Sequence, residues 1–326
     1  MFLLSSSLLP SSHCITHCEF RGKIYCCGSS VPKGATVCAD INILPSLPCG
    51  SRLELFTLGE QTAGVGGRLW NAAPKLCQYQ LAQADQVHDS VVLELGSGTG
   101  ACGLFAAGLG AAKIVVTDGG PPALLELLAY NVQCNADSIE RIDASQIEVR
   151  SLRWGESSID ETLGTSFLEE MDWIFASDVT YDDDLHQSLC QTLRDLLLAG
   201  PNARAILCEE HGPPTPYREV EGQEGCGLWR DEFLESFVVT AQRHGLAVEP
   251  FVLEDDLGES INESRAFPMS DFATADVYLM EVRLTDARDV RAEEVVTGDT
   301  VEDRAPSTDR PPAPFNMLRN RDSWSE

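Results

Sequence analysis

The stretch Val91-Val92-Leu93-Glu94-Leu95-Gly96-Ser97-Gly98-Thr99-Gly100-Ala101-Cys102-Gly103 constrains the fold of this chain more than any other. An apolar run broken by one carboxylate predicts a buried strand, alternate glycines a tight turn, and the small residues behind them the start of a helix. Glycine suits such a turn because it tolerates positive φ and lets backbone N–H groups close on a ligand. A nucleotide-like ligand fits there. Gly98-x-Gly100-x-x-Gly103 also satisfies the weak dinucleotide pattern, so the turn alone does not choose the ligand.

Strand and helix patterns alternate around this unit. Leu53, Leu55 and Thr57 alternate as a short strand would, and a helical stretch from Gly66 through Leu81 carries Leu69, Ala73, Leu76 and Tyr79 on one stripe. Further strands are predicted at 113–117, 147–152, 173–177 and 203–208, with helices at 100–109, 123–134, 184–199 and 228–244. Residues 275–284 alternate well enough for a final strand, antiparallel at the sheet edge. This alternation implies right-handed crossovers and a doubly wound α/β fold, with a mostly parallel, Rossmann-like sheet and helices on both faces. The Pro- and Gly-rich residues 212–227 are predicted to form a long loop.

The two ends differ from this middle. Six of the twelve cysteines and a surplus of serine fall in residues 1–50, an irregular extension that carries a net charge of +1 against −29 for the rest. Residues 286–326 mix charges with prolines and hold few apolar residues, which predicts disorder. The domain is therefore expected at 51–285. His13-Cys14-x-x-His17-Cys18 offers soft ligands but has no second half at zinc-finger spacing, so no metal site is expected. The remaining cysteines sit in apolar surroundings, as reduced thiols do in a cytoplasmic, reducing compartment. A net charge of −28 argues against binding nucleic acid and favours either basic partners or mere solubility. No run reaches the roughly 18 apolar residues of a membrane span. A monomer is expected.

In an open α/β sheet, ligands bind over the carboxyl ends of the strands, and acids stand there. Glu94 lies just before the glycine loop. Asp118 closes Ile114-Val115-Val116-Thr117-Asp118, where a carboxylate can accept from both hydroxyls of a ribose or cap the next helix. A pyrophosphate beside Glu94 would be repelled, whereas the ammonium and sulfonium of S-adenosylmethionine would be attracted.

Further landmarks follow in order: Leu69-Trp70-Asn71-Ala72-Ala73, Asn131 with Asn135, Leu152-Arg153-Trp154-Gly155, and Asp172 to Asp178 running into Asp178-Val179-Thr180-Tyr181. On these the chain resembles the class I, seven-β-strand S-adenosylmethionine-dependent methyltransferases. Within them it resembles the family 16 type of protein-lysine methyltransferase, which has an Asp-x-x-Tyr signature after the fourth strand. The resemblance spans about residues 65–210 and more weakly reaches 284. It implies seven strands, S-adenosylmethionine as cofactor and a lysine-containing protein as substrate. Trp70 and the backbone of Gly96, Ser97 and Gly98 would line the methionine end, Asp118 would hold the ribose, Trp154 would pack on the adenine, and Ser177 would touch the cofactor where alanine is frequent. Gly119-Gly120-Pro121-Pro122 departs from the family pattern.

Asp178 would orient the acceptor amine, with Tyr181 as an aromatic wall; alternatively, Asp178 caps the helix beginning near Asp184 and Tyr181 packs on the sheet edge. Asn131 and Asn135 are expected to organise a helix end and its loop. Asp182-Asp183-Asp184 either attracts a basic segment or starts a solvated helix. The cofactor half alone would also serve a small-molecule methyltransferase or a non-catalytic S-adenosylmethionine-binding interaction module.

Overall fold

The computed structural model describes residues 18–20, 23–25, 32–37, 44–210, 232–251 and 277–285, all within the compact unit that ends at Thr285. The His13-Cys14 motif, the loop expected at 212–227 and the tail at 286–326 lie outside the described residues.

Seven strands form the main sheet: β1 (Val91–Leu95), β2 (Lys113–Asp118), β3 (Ile147–Ser151), β4 (Trp173–Ser177), β5 (Arg204–Glu210), β6 (Leu246–Phe251) and β7 (Val277–Leu284). They lie in the order β6-β7-β5-β4-β1-β2-β3. The five strands from β5 to β3 are parallel to one another, whereas β7 runs antiparallel to both β5 and β6. The expected final strand is thus second from the edge. The edge itself is β6, which the sequence pattern hid because Leu-Ala-Val-Glu-Pro-Phe carries Pro250. A proline is tolerated at an edge because the missing N–H faces away from the ladder.

Among the described residues the longer helices packed on this sheet are α1 (Ala72–Ala82), α2 (Ala101–Leu109), α3 (Pro122–Ser138), α4 (Asp183–Ala199) and α5 (Glu232–Arg243). Alternation along each strand divides the core. Val92, Ile114 and Phe175 pack with Leu76, Phe105 and Leu128 on one face. Leu93, Val115 and Ile174 pack with Leu193 and Phe237 on the other. Each such side chain contributes roughly 1.5–3 kcal/mol on full burial.

Two predicted elements differ. The helix expected from Gly66 begins only at Ala72, because Val65–Gly67 forms a 3-10 turn in which a Cβ on Gly67 would stand 2.4 Å from the Leu58 carbonyl oxygen. Leu53 and Leu55 are buried but lie outside a strand; only Phe56–Thr57 pairs, with Thr36–Val37. Segment 54–56 is held by two side chains of α3 instead. Asn131 Oδ1 accepts from Phe56 N at 2.8 Å while its Nδ2 donates to the Phe56 and Thr99 carbonyls, and Asn135 brackets Glu54 N and O at 2.9 and 2.7 Å. The two amides play the part of a neighbouring strand.

Candidate active site

The sheet order reverses between β1 and β4, so a crevice opens over the carboxyl ends of these strands. There β1 runs into Gly96-Ser97-Gly98-Thr99-Gly100. Gly96 and Gly98 adopt φ of +61° and +52°, and a Cβ on Gly98 would stand 2.8 Å from the carbonyl oxygen of Gly66. A Cβ on Gly96 would meet Val179 at 2.9 Å and the Trp154 ring at 3.2 Å. The loop thus has no room for side chains at these two positions, packed as it is between the chain at Gly66 and the half-buried Trp154 ring. These features fit the cofactor inferred from the sequence.

Asp118 closes β2 as expected, and its role is double. Oδ2 accepts from Gly98 N at 3.0 Å and Oδ1 from Gly120 N at 2.8 Å, so it clamps the glycine loop to the turn that starts α3. Each oxygen keeps a second lone pair free of these amides. Burial pushes its pKa up, against the pull of those amides. The departure at Gly119-Gly120 serves this clamp, because a Cβ on Gly120 would stand 3.0 Å from Asp118 Oδ1.

One expected contact, that of the Glu94 carboxylate, is placed differently by the structure. Glu94 is only 2 % exposed and shares the face of Val92, beneath the loop. Its carboxylate accepts from Cys102 N at 3.2 Å and Gly103 N at 3.0 Å, the free amides of the α2 N-terminus, so it anchors the loop to the helix instead of meeting an ammonium. Burial still outweighs these donors and raises its pKa to about 7. The Ser97 side chain points inward, with Oγ accepting from Thr117 N at 2.9 Å, and it is the backbone of Ser97 that the sequence resemblance assigns to the cofactor.

Trp70, half-buried, lies on the strap that leads into α1. Its Nε1 donates to the Val65 carbonyl at 3.0 Å, and the Arg68 guanidinium lies 5.2 Å from its ring centre. Ser177 ends β4, half-buried, with its hydroxyl 3.9 Å from the Cys102 thiol.

Asp178 follows at once and is one of two described non-glycine residues with positive φ, at +52°. Its Oδ2 accepts from Ala72 N at 3.2 Å, at the start of α1, and its Oδ1 from Glu210 N at 2.9 Å. Asp178 therefore does not cap α4; Asp182 does, accepting from Asp184 N. Burial, with help from the Glu210 charge, raises the Asp178 pKa to about 6. Tyr181 stands at the rim, 49 % exposed, its pKa raised by burial and then by Asp182.

Sequence reasoning missed the groups around Asp178. Asn71 Nδ2 donates to Glu210 Oε1 at 2.7 Å, tying the strap to the end of β5. Glu209, 4 % exposed, accepts from Val179 N at 3.1 Å and Thr180 N at 3.2 Å. The rule that found Glu94, Asp118 and Asp178, a carboxylate ending an apolar strand, applies equally to Cys208-Glu209-Glu210. A concavity of ≈ 360 Å³ lined by Gln86, His88, Asp89, Asp172, Trp173 and Arg204 lies at the opposite ends of the strands and holds none of these groups.

An open seven-stranded sheet with a glycine loop and strand-end carboxylates at its reversal point defines a Rossmann-like α/β protein with a nucleotide-type site over its strand ends. Comparison with known proteins narrows this. A profile described as lysine methyltransferase matches residues 51–212. The Xenopus tropicalis protein N-lysine methyltransferase METTL21A is 35% identical over 136 residues, covering 41% of this chain and 56% of that protein. Mouse EEF1A lysine methyltransferase 3 is 31% identical over 176 residues, covering 53% of this chain and 69% of that protein. The protein N-terminal and lysine N-methyltransferase efm7 of Neurospora crassa is 30% identical over 144 residues, covering 43% of this chain and 51% of that protein. The chain thus spans between about half and about two thirds of the length of these relatives. The chain belongs to the lysine methyltransferase family, and its cofactor is S-adenosylmethionine.

Proposed function

We propose that this chain methylates a lysine side chain of a protein substrate, with residues 51–285 as the catalytic domain. The observation that carries the reading is the placement of Asp178. A carboxylate in a left-handed conformation, with one amide on each oxygen, presents its remaining lone pairs beside the glycine loop and the exposed Tyr181 ring.

Bound S-adenosylmethionine supplies an electrophilic methyl group on a sulfonium. The glycine loop, Asp118, Trp70 and Trp154 orient it. A lysine with an ordinary pKa of about 10.4 arrives protonated and must become neutral before it attacks. Asp178, ionised above about pH 6, accepts a hydrogen bond from the incoming ammonium and aims it, while water takes the proton. Tyr181 walls the lysine's aliphatic stem and faces its charge with an aromatic ring. Most of the acceleration then comes from approach and orientation.

The buried thiols support a reducing compartment such as the cytoplasm. Cys77, Cys102, Cys190 and Cys208 are free and buried, and among the described residues no helix is long and apolar enough to cross a membrane. We further propose that the chain works as a monomer and does not act on nucleic acid, a reading that its net charge of −28 supports.

The test is incubation of the chain with a cell lysate and radiolabelled S-adenosylmethionine, followed by mass spectrometry of the labelled proteins. Label on lysine Nζ, lost with Asp178→Asn, is the expected result. Label on an N-terminal amine or on a small molecule, or none at all, overturns the reading.

A further inference from the structure

We propose that Glu209 is a positioning residue for methyl transfer: with His186, it holds the turn from Asp178 to Tyr181 in the geometry that the acceptor amine meets. The inference rests on the methyltransferase reading above and adds to it a residue that touches neither cofactor nor substrate.

Three consecutive residues at the end of β5 grip the turn. Cys208 O accepts from Asp178 N at 2.9 Å, the Glu209 carboxylate accepts from Val179 N and Thr180 N, and Glu210 N donates to the Asp178 carboxylate. From the other side the His186 ring, 1 % exposed, places Nε2 2.8 Å from the Thr180 carbonyl oxygen. Nε2 must carry the hydrogen there, since a carbonyl only accepts, which leaves Nδ1 facing the Ser236 hydroxyl at 3.3 Å.

A left-handed aspartate persists only where its surroundings over-determine it. Here the backbone N–H groups of Asp178, Val179 and Thr180 and the Thr180 carbonyl are all claimed by β5 and α4. Glu209 supplies two of these bonds from a site where a carboxylate is costly. Burial pushes its pKa up to about 8, although two amide donors favour the ionised form. An apolar residue would serve packing alone. A two-oxygen acceptor serves the turn.

Two variants separate the roles. Glu209→Gln keeps the size, but its NH₂ group faces one of the two amides. Glu209→Asp keeps both acceptor oxygens on a shorter arm. The measurements are S-adenosylhomocysteine affinity by calorimetry, hydrogen exchange of the Val179 and Thr180 amides, melting temperature, and the rate of labelling of lysate proteins. Glu209→Gln is expected to bind S-adenosylhomocysteine within about twofold of the parent and to exchange these two amides faster. Its labelling should slow on the order of tenfold to a hundredfold, the scale of a misplaced reacting group. Glu209→Asp should regain part of that rate while melting no higher than Glu209→Gln, so that activity and stability rank the two variants oppositely.

Parent-like labelling by Glu209→Gln overturns the inference. So does unchanged exchange at both amides, or a loss of S-adenosylhomocysteine affinity that matches the loss of labelling. If the parent chain labels nothing, the methyltransferase reading fails; the exchange and affinity data then still decide whether Glu209 braces the turn.

Discussion

Asp178 carries both the chemistry and the strain at the residue scale. Its φ of +52° lies where asparagine and aspartate are tolerated and alanine is not. Asp178→Ala therefore mixes lost chemistry with backbone strain, which costs of order 1–2 kcal/mol. Asp178→Asn keeps the conformation and one acceptor oxygen but turns its NH₂ group toward the N–H of Ala72 or Glu210, so it is expected to lose about 1–3 kcal/mol of stability while labelling falls at least about tenfold, the contribution of one charge-assisted contact. A second residue works in the opposite sense. Gln80, fully buried in α1, has no hydrogen-bond partner on either amide atom among the described residues. Since an unsatisfied buried polar group costs about 1–3 kcal/mol, Gln80→Leu should raise stability by about that amount in denaturant unfolding. Unchanged or lowered stability would mean that the amide is satisfied in solution.

At the scale of elements, the site depends on pieces that are neither strand nor helix. The strap from Val65 to Asn71 lies over the glycine loop, and segment 54–56 before it is bound by Asn131 and Asn135. Asn131 also donates to the carbonyl of Thr99, inside the glycine loop, at 2.9 Å. Asn131→Ala leaves the N–H and C=O of Phe56 and the C=O of Thr99 without this partner. It should lower stability by about 2–3 kcal/mol and weaken S-adenosylhomocysteine binding with it, measured by melting and calorimetry. Stability lost with affinity intact would confine the asparagine to the segment. The expectation that Asn131 and Asn135 organise a helix end and a loop was right about their being structural. Their target, a segment about 75 residues away along the chain, was not legible, because side-chain amides that imitate a strand leave no periodicity in the segment they hold.

Over the whole molecule, charge sets how the fold answers pH. Glu94, Asp178 and Glu209 have folded pKa values of about 7, about 6 and about 8, all above the ordinary carboxyl range, with burial as the first cause. A carboxyl raised in this way favours the fold while protonated. That stabilisation is complete below the unfolded values near 4 and is lost as pH rises through the folded ones. The net charge of −28 acts in the same direction, since self-repulsion grows as acids ionise. The melting temperature is therefore expected to be higher at pH 5.5 than at pH 8.5, and Glu94→Gln should flatten part of the difference. A melting temperature that rises toward pH 8.5 would show that these carboxylates are better solvated than their burial implies. Activity should run the other way, falling below about pH 6 as Asp178 takes up its proton.

The sequence by itself determined the α/β class, the parallel centre of the sheet, the glycine loop, and the acids that end β1, β2 and β4. Each is a local matter: period, turn chemistry, and a charge where an apolar run stops. Only the tertiary structure decided which way those acids face. Glu94 and Asp178 look alike in sequence, a carboxylate at the end of a buried strand. Glu94 turns under the loop to the amides of α2, whereas Asp178 stands in the crevice between the amides of Ala72 and Glu210. The direction of a side chain depends on which donors the fold brings to it, and those donors lie far away along the chain.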